Sequence, residues 1–568
     1  MKKIYIILFA IFLLGALLRF VDLGKIPTGF HVDEAYFGYN AFSILKTGRE
    51  ITGNFLPLNL HSLLYSPAGY SYLAIPFIVF FGLSEFSTRF PSALFGSLTI
   101  PLVYILFKLI FKENKNKERI ALISSLFLAV SPWHINLSRL STENVLVVFF
   151  VTLGTCLYIF WLEKNRVYLL LFAFLAFAAN IVIYQAARSF LPIFIPLLFL
   201  YSLYIKQINI KKLFLPIFLY TLLIIIPVIY VLFSPELSFR IRTLSIFQNP
   251  TTQLLLDEQL REDGVNNIGV IEARAFHNKI SNYSTTFINN YFKHFSPDFL
   301  FTDAGLPIRY RVSSMGLLYI FDLLFILAGT YYLIKNERKK SIFILGWILI
   351  VPIGSALTFD DVPNLQRTLL VFPVLSILIA FGFEYLFTQI YSLNKKYRYF
   401  TIVIFALVPI ILIYNFLFYM HSYYIHQLTH RPWYRQEGYR ELVQAINSQY
   451  KQYEKVVITD SNSAPTIFLA FYNKYDPLKL QNIIKKSGRT NYGSMSFDKY
   501  EITNEKCPLA ELVSINPISK VKTTVLRGSK NVLYINDQGC PIPNEGVRIV
   551  TQIKRPDNTV AFTLLSLK

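Results

Sequence analysis

Long apolar runs broken by short polar segments organise the first 420 residues. A helix needs roughly 17 to 25 mostly apolar residues to cross a bilayer. On that rule the pattern predicts spans near 4–20, 90–111, 119–133, 145–162, 167–184, 190–205, 213–233, 314–334, 341–358, 368–390 and 400–419, about eleven transmembrane helices. The breaks "KENKNKER" (112–119), "EKNR" (163–166), "KQINIKK" (206–212), "KNERKK" (335–340) and "NKKYR" (394–398) are rich in Lys and Arg, the mark of cytoplasmic loops. Placing all five inside puts the N-terminus in the cytoplasm and the C-terminus outside. The run "YSYLAIPFIVFFGL" (70–83) is short and contains Pro76, and counting it as a full span would invert the charge rule. It is read as a helix lying on the outer surface.

This topology puts four loops outside: 21–89, 134–144, a long one at 234–313, and "FDDVPNLQR" at 359–367. The chain is therefore expected to hold a membrane domain at 1–420 and a small extracytoplasmic domain at 421–568. Within the tail, "GYRELVQAINSQY" and "APTIFLAFYNKY" read as helices, and "KVVITD" and "NVLYIND" as strands, so an α/β domain is expected. The basic, apolar N-terminus reads as an uncleaved signal anchor.

Composition agrees with a polytopic membrane protein carrying some soluble mass, being 54% hydrophobic and only 16% charged. A net charge of +21 could suggest nucleic acid, but the basic residues cluster between apolar runs, so the charge is topological and no nucleic-acid partner is expected. Three cysteines exclude a disulfide scaffold; Cys507 and Cys540 could pair if the tail is outside the cell. No glycine-rich nucleotide motif or zinc-ligand spacing occurs.

Candidate chemistry collects at the outer level. "HVDEAYFGYNAFSILKTG" reads as a capped helix ending at Gly48, with Asp33 and Glu34 in its first turn. The second loop, "HINLSRLSTEN", offers His134, Arg139 and the acid Glu143. Arg188, at an outer interhelical turn, and Arg367, at the mouth of another span, match phosphate geometry. His61 is a weaker candidate, because a lone histidine is more often a packing residue.

The order of "DEA", "SPAGYSYLAIP", "EFSTRFPSALFG", "SPWHINLSR" and the following "EN" resembles that of the GT-C glycosyltransferases, and within them the protein O-mannosyltransferase and aminoarabinose transferase group, the PMT family. The resemblance covers roughly the first 200 residues and continues loosely through "LTFDDVPNLQRTLLVFP". It implies an α-helical GT-C membrane fold and an inverting transfer of sugar from a polyprenyl-phosphate carrier to a hydroxyl of an envelope protein, lipid or glycan. Asp33 would be the catalytic carboxylate, Glu34 and Glu143 would orient sugar or acceptor, and Arg188 and Arg367 would bind the donor phosphate. His61, His134 and Arg139 would be auxiliary. Aminoarabinose transferases carry a Glu-Lys-Pro sequence before the interfacial helix; here "LLYSPAG" (63–69) stands there without a carboxylate, which leaves a divalent cation an open question. A bacterial plasma membrane is the implied location. The alternative is a lipid-linked sugar flippase, although its ionisable groups would be expected within the spans.

Overall fold

The structure is a computed structural model and describes residues 2–208, 210–233, 243–392, 398–488, 491–515, 522–543 and 545–568. Most of the basic break at 394–398 and the start of the long loop lie outside the described residues. In chain order the helices used below are α1 (Lys2–Phe20), α2 (Val32–Thr47), α3 (Gly69–Phe81), α4 (Glu85–Ile110), α5 (Lys117–Val130), α6 (Pro132–Ser138), α7 (Glu143–Lys164), α8 (Val167–Ile183), α9 (Ala187–Tyr204) and α10 (Phe214–Leu232). They continue as α11 (Pro250–Val265), α12 (Val270–Phe276), α13 (Lys279–Lys293), α14 (Asp322–Asn336), α15 (Arg338–Ala356), α16 (Phe372–Ser392), α17 (Arg398–His421), α18 (Tyr439–Gln449), α19 (Pro465–Tyr472) and α20 (Pro477–Ser487).

Each of the eleven expected spans corresponds to a helix, but among the described residues eight are long and apolar enough to cross a membrane. A ninth is gained if α5 and α6, bent by 56°, count as one span. α8 is shorter, and α14 begins at Asp322 rather than near 314. The late start has a local cause: the amides of Leu317 and Leu318 both donate to the Leu300 carbonyl, and Gly316 lies against the Phe301 backbone. Those residues are committed to a loop contact before the helix can open.

The chain divides into two compact units. The first comprises 1–21, 65–69 and 92–422, and is built from the spanning helices. Its helices meet through aromatic rings such as Phe194 on Trp347, Tyr201 on Phe343 and Phe111 on Phe381. Hydroxyls inside the spans return a bond to their own helix, as Thr152 does to the Val148 carbonyl, which satisfies that donor away from water.

The second unit comprises 22–64, 70–91 and 423–568. Its centre is a five-stranded sheet. Strand β1 (Lys455–Thr459) runs parallel to β2 (Tyr500–Thr503) on one side and to β5 (Val532–Asp537) on the other; β7 (Val560–Leu567) pairs antiparallel with β5 and with β6 (Val547–Lys554). A separate hairpin joins β3 (Ala510–Ile515) to β4 (Lys522–Arg527). The expected tail helices and strands are all present, as α18, α19, β1 and β5. Cys507 and Cys540 form a disulfide.

The sequence pattern assigns the first outer loop to the membrane domain, whereas its contacts group it with the tail. α2 packs on α19 and α20, and Phe30, Tyr36 and Tyr39 share one buried apolar cluster with Leu442, Ile458 and Phe468. An apolar face on α2 has to be covered, and the tail covers it.

Candidate functional site

Within the second unit, α2 separates its two adjacent carboxylates. Successive residues on a helix point about 100° apart, so one acid turns inward and the next stays near the surface. Glu34 is 1% exposed and forms a two-pronged pair with Arg89, at 2.9 Å to Nε and 3.0 Å to Nη2. The same guanidinium donates to the carbonyls of Leu23, Pro27 and Gly29, so it fixes the chain entering α2. Glu34 also accepts from the His31 amide, while His31 Nδ1 accepts from the Asp33 amide, closing a capping box.

Glu34 thus helps to position α2, its carboxylate held by Arg89 and the helix start. Asp33 is the accessible member of the pair, its side chain 32% exposed and its Oδ2 3.3 Å from His31 Nδ1. Burial and the negative charges of Asp33 and Glu50 push the Tyr36 hydroxyl well above the usual tyrosine range.

Glu50 was not singled out from sequence. It is fully buried and accepts from Thr52, Asn54 (3.0 Å) and Ser62 (2.9 Å); burial raises its pKa despite those bonds. His61, half-buried, directly precedes Ser62 in this polar cluster. Nothing in "REITGN" marks Glu50 as buried, because it lies in a turn with no periodicity.

In the first unit, His134 and Arg139 are tied to helix ends. Arg19 donates to the carbonyls of Gly15, Leu128 and Ala129 and meets His134 Nδ1 at 2.9 Å, satisfying the end of α5 at the bend. Arg139 reciprocates by donating to Leu18 and Val21 at the end of α1.

The remaining candidates belong to the first unit, where Arg188 Nε donates to the Ile181 carbonyl in the last turn of α8 at 3.1 Å. Arg367 Nη1 donates to Thr358 Oγ1 (2.6 Å) and to the Asp360 carbonyl (2.8 Å). Arg188 begins α9, where its neighbour Ser189 lies against Gly354; a Cβ there would overlap the Ser189 hydroxyl, so glycine permits the approach. Glu143 opens α7, and the next residue, Asn144, donates to the carbonyl of Gln366, which directly precedes Arg367. Asp361 is pushed up by burial and by Asp360, against the pull of Arg309 and Arg367.

His294, absent from the sequence candidates, meets the last turn of α15. Its Nδ1–H donates to the Asn290 carbonyl (2.8 Å), and its Nε2 accepts from the Asn364 amide (3.1 Å), which fixes a neutral ring. Nε2 also lies 2.9 Å from Ser355 Oγ. Burial, helped by the Arg367 charge, pushes its pKa down to about 4.

His294 and Thr368 mark one end of a cavity of about 180 Å³. Its walls are otherwise nearly all apolar: Phe299 and Leu300, Leu318 and Ile326, Leu345 to Pro352, and Val371 to Leu378. A slot with this lining suits an apolar chain. Among the described residues no three His, Cys, Asp or Glu side chains are arranged to hold a metal ion.

With this geometry established, comparison with known proteins is informative. Over 99% of this chain and 97% of the other, the structure superposes on ArnT from Cupriavidus metallidurans bound to undecaprenyl phosphate, with a TM-score of 0.52 at 12% identity. The chain has the GT-C fold. The apo state of the same ArnT gives a TM-score of 0.51 at 11% identity, covering 99% and 98%. The archaeal oligosaccharyltransferase AglB from Archaeoglobus fulgidus, in complex with an inhibitory peptide and a dolichol-phosphate, gives 0.50 at 13% identity. That match covers 83% of this chain and only 63% of AglB. The family model described as dolichyl-phosphate-mannose-protein mannosyltransferase matches residues 66–231. Comparison with curated protein sequences gives no match.

Proposed function

We propose that the protein is an integral-membrane inverting glycosyltransferase that moves a sugar from a polyprenyl-phosphate carrier to a hydroxyl of an envelope acceptor on the outer face of the membrane. The observation that carries this reading is the nearly apolar cavity that His294 and Thr368 help to line, with Arg367 directly preceding Thr368 in the chain. A polyprenyl phosphate has the same two-part character. The tail would lie along α15 and α16, and Arg188 and Arg367 would hold the phosphate, whose negative charge grows as the sugar leaves.

Asp33 is the general base of the proposal. It takes the proton of the acceptor hydroxyl while that oxygen attacks the anomeric carbon; the new C–O bond forms as the bond to phosphate breaks, and polyprenyl phosphate departs with the electron pair. A single displacement of this kind inverts the anomeric centre. Glu143 is assigned to orienting sugar or acceptor. The disulfide between Cys507 and Cys540 supports an extracytoplasmic tail, since such bonds persist in oxidising compartments.

The test is transfer from a panel of polyprenyl-phosphate sugars to envelope extract by the protein in nanodiscs, with free polyprenyl phosphate as the second readout. Labelled acceptor together with stoichiometric polyprenyl phosphate is expected. Unconsumed donor across the panel would contradict the proposal.

A further inference from the structure

Helix α13, in the long outer loop, wears its polarity inside out. Its buried residues are asparagines: Asn282 Nδ2 donates to Gln259 Oε1 at 2.9 Å, and Asn290 Nδ2 reaches the Ala356 and Thr358 carbonyls at 3.4 and 3.2 Å. Ile280, Ile288 and Phe292 are instead 80%, 50% and 63% exposed. At about 100° per residue these three fall within about 120° of arc, opposite Asn282 and Asn290. A helix in water turns such a stripe toward its own core.

The neighbour of α13 says what covers the stripe. Tyr291 OH donates to the Leu349 carbonyl at 2.9 Å. Leu349 precedes the end of α15 by seven residues, or about 10 Å along the axis, and is itself 52% exposed on a helix apolar enough to span the membrane. The apolar face of α13 therefore continues the lipid-facing flank of α15 at a depth typical of interfacial helices, about 5–10 Å below the headgroup boundary.

We infer that α13 is immersed in the interfacial layer of the bilayer, with Ile280, Ile288 and Phe292 among phospholipid acyl chains. Exposed Lys279 and Lys293 at its two ends reach the headgroup phosphates. The helix anchors the long outer loop, and it sets the depth of His294, the residue that follows it. This inference stands apart from the proposed transfer reaction, because it needs only the membrane.

The experiment attaches an environment-sensitive NBD probe to Ile280→Cys, Ile288→Cys and Phe292→Cys in the full chain, with Glu258→Cys on α11 as the exposed reference. Cys156 is buried and the other two cysteines are paired, so labelling is selective. In phosphatidylcholine nanodiscs, doxyl-lipid quenching at positions 288 and 292 should exceed that at 258 by about twofold or more, with aqueous iodide quenching in the reverse order. Iodide quenching equal at all four positions, without doxyl quenching, would overturn the inference. The unmodified protein supplies an independent check in nanodiscs carrying a diazirine lipid. Cross-links on the peptide containing 288–292 are expected; cross-links confined to the other spans would overturn it.

Discussion

Two neighbouring acids on one helix have been given opposite environments. Glu34 is buried against Arg89 while Asp33 stays accessible, and a shift of one position along the helix accounts for the difference. The sequence showed the acids and the cap but not which of them turned inward, because the partner, Arg89, lies 55 residues away. Breaking a buried pair by removing one partner typically costs about 3–5 kcal/mol. Arg89→Met and Glu34→Gln should therefore each lower the melting temperature clearly, and the double variant should recover part of the loss; a melt unchanged by Arg89→Met would argue against this role.

His294 has a signed pH dependence. Its pKa is about 4 in the folded protein against an ordinary 6.5, so the folded state excludes the proton. The stability this contributes is present above 6.5 and is lost as pH falls through 6.5 toward 4. Thermal melts between pH 7 and 4.5 should fall for the wild type and flatten for His294→Gln.

At the scale of elements, the length of the apolar runs located a helix at each expected span, and among the described residues eight helices are long and apolar enough to cross a membrane. It missed where α14 starts, since the Leu300 contact that delays the helix is not local in sequence. It also missed β6, β7 and α20, whose short patterns acquire meaning only beside the rest of the sheet. The apolar cavity carries a prediction here. Val351 lines it and is 4% exposed, so Val351→Trp should fill the slot. On the proposed function, KM for a long-chain donor rises by about tenfold, while a donor with a tail too short to reach the slot is unaffected. α14 and α16 meet where a methyl on Gly382 would overlap the Phe325 carbonyl. Gly382→Leu should lower the yield of folded protein, measured by size-exclusion chromatography.

For the whole molecule, the first outer loop and the tail form one unit with a shared apolar core. This was illegible in the sequence, since residues near 35 and 468 meet only through tertiary packing. Deleting residues 432–568 would strip cover from Phe30, Tyr36 and Tyr39, so the deletion is expected to abolish any transfer and to make α2 protease-sensitive, rather than merely to change the acceptor. A deleted protein with a protected α2 would contradict this.

The central claim is that Asp33 is the base of a polyprenyl-phosphate-dependent sugar transfer. The most direct measurement compares the wild type with Asp33→Asn, at matched expression and matched melting temperature, for transfer from the donor found active in the panel. A loss of about 10²-fold or more in kcat with donor binding retained is the predicted result, in the range expected for removing a positioned general base. Equal rates for the two proteins would contradict it.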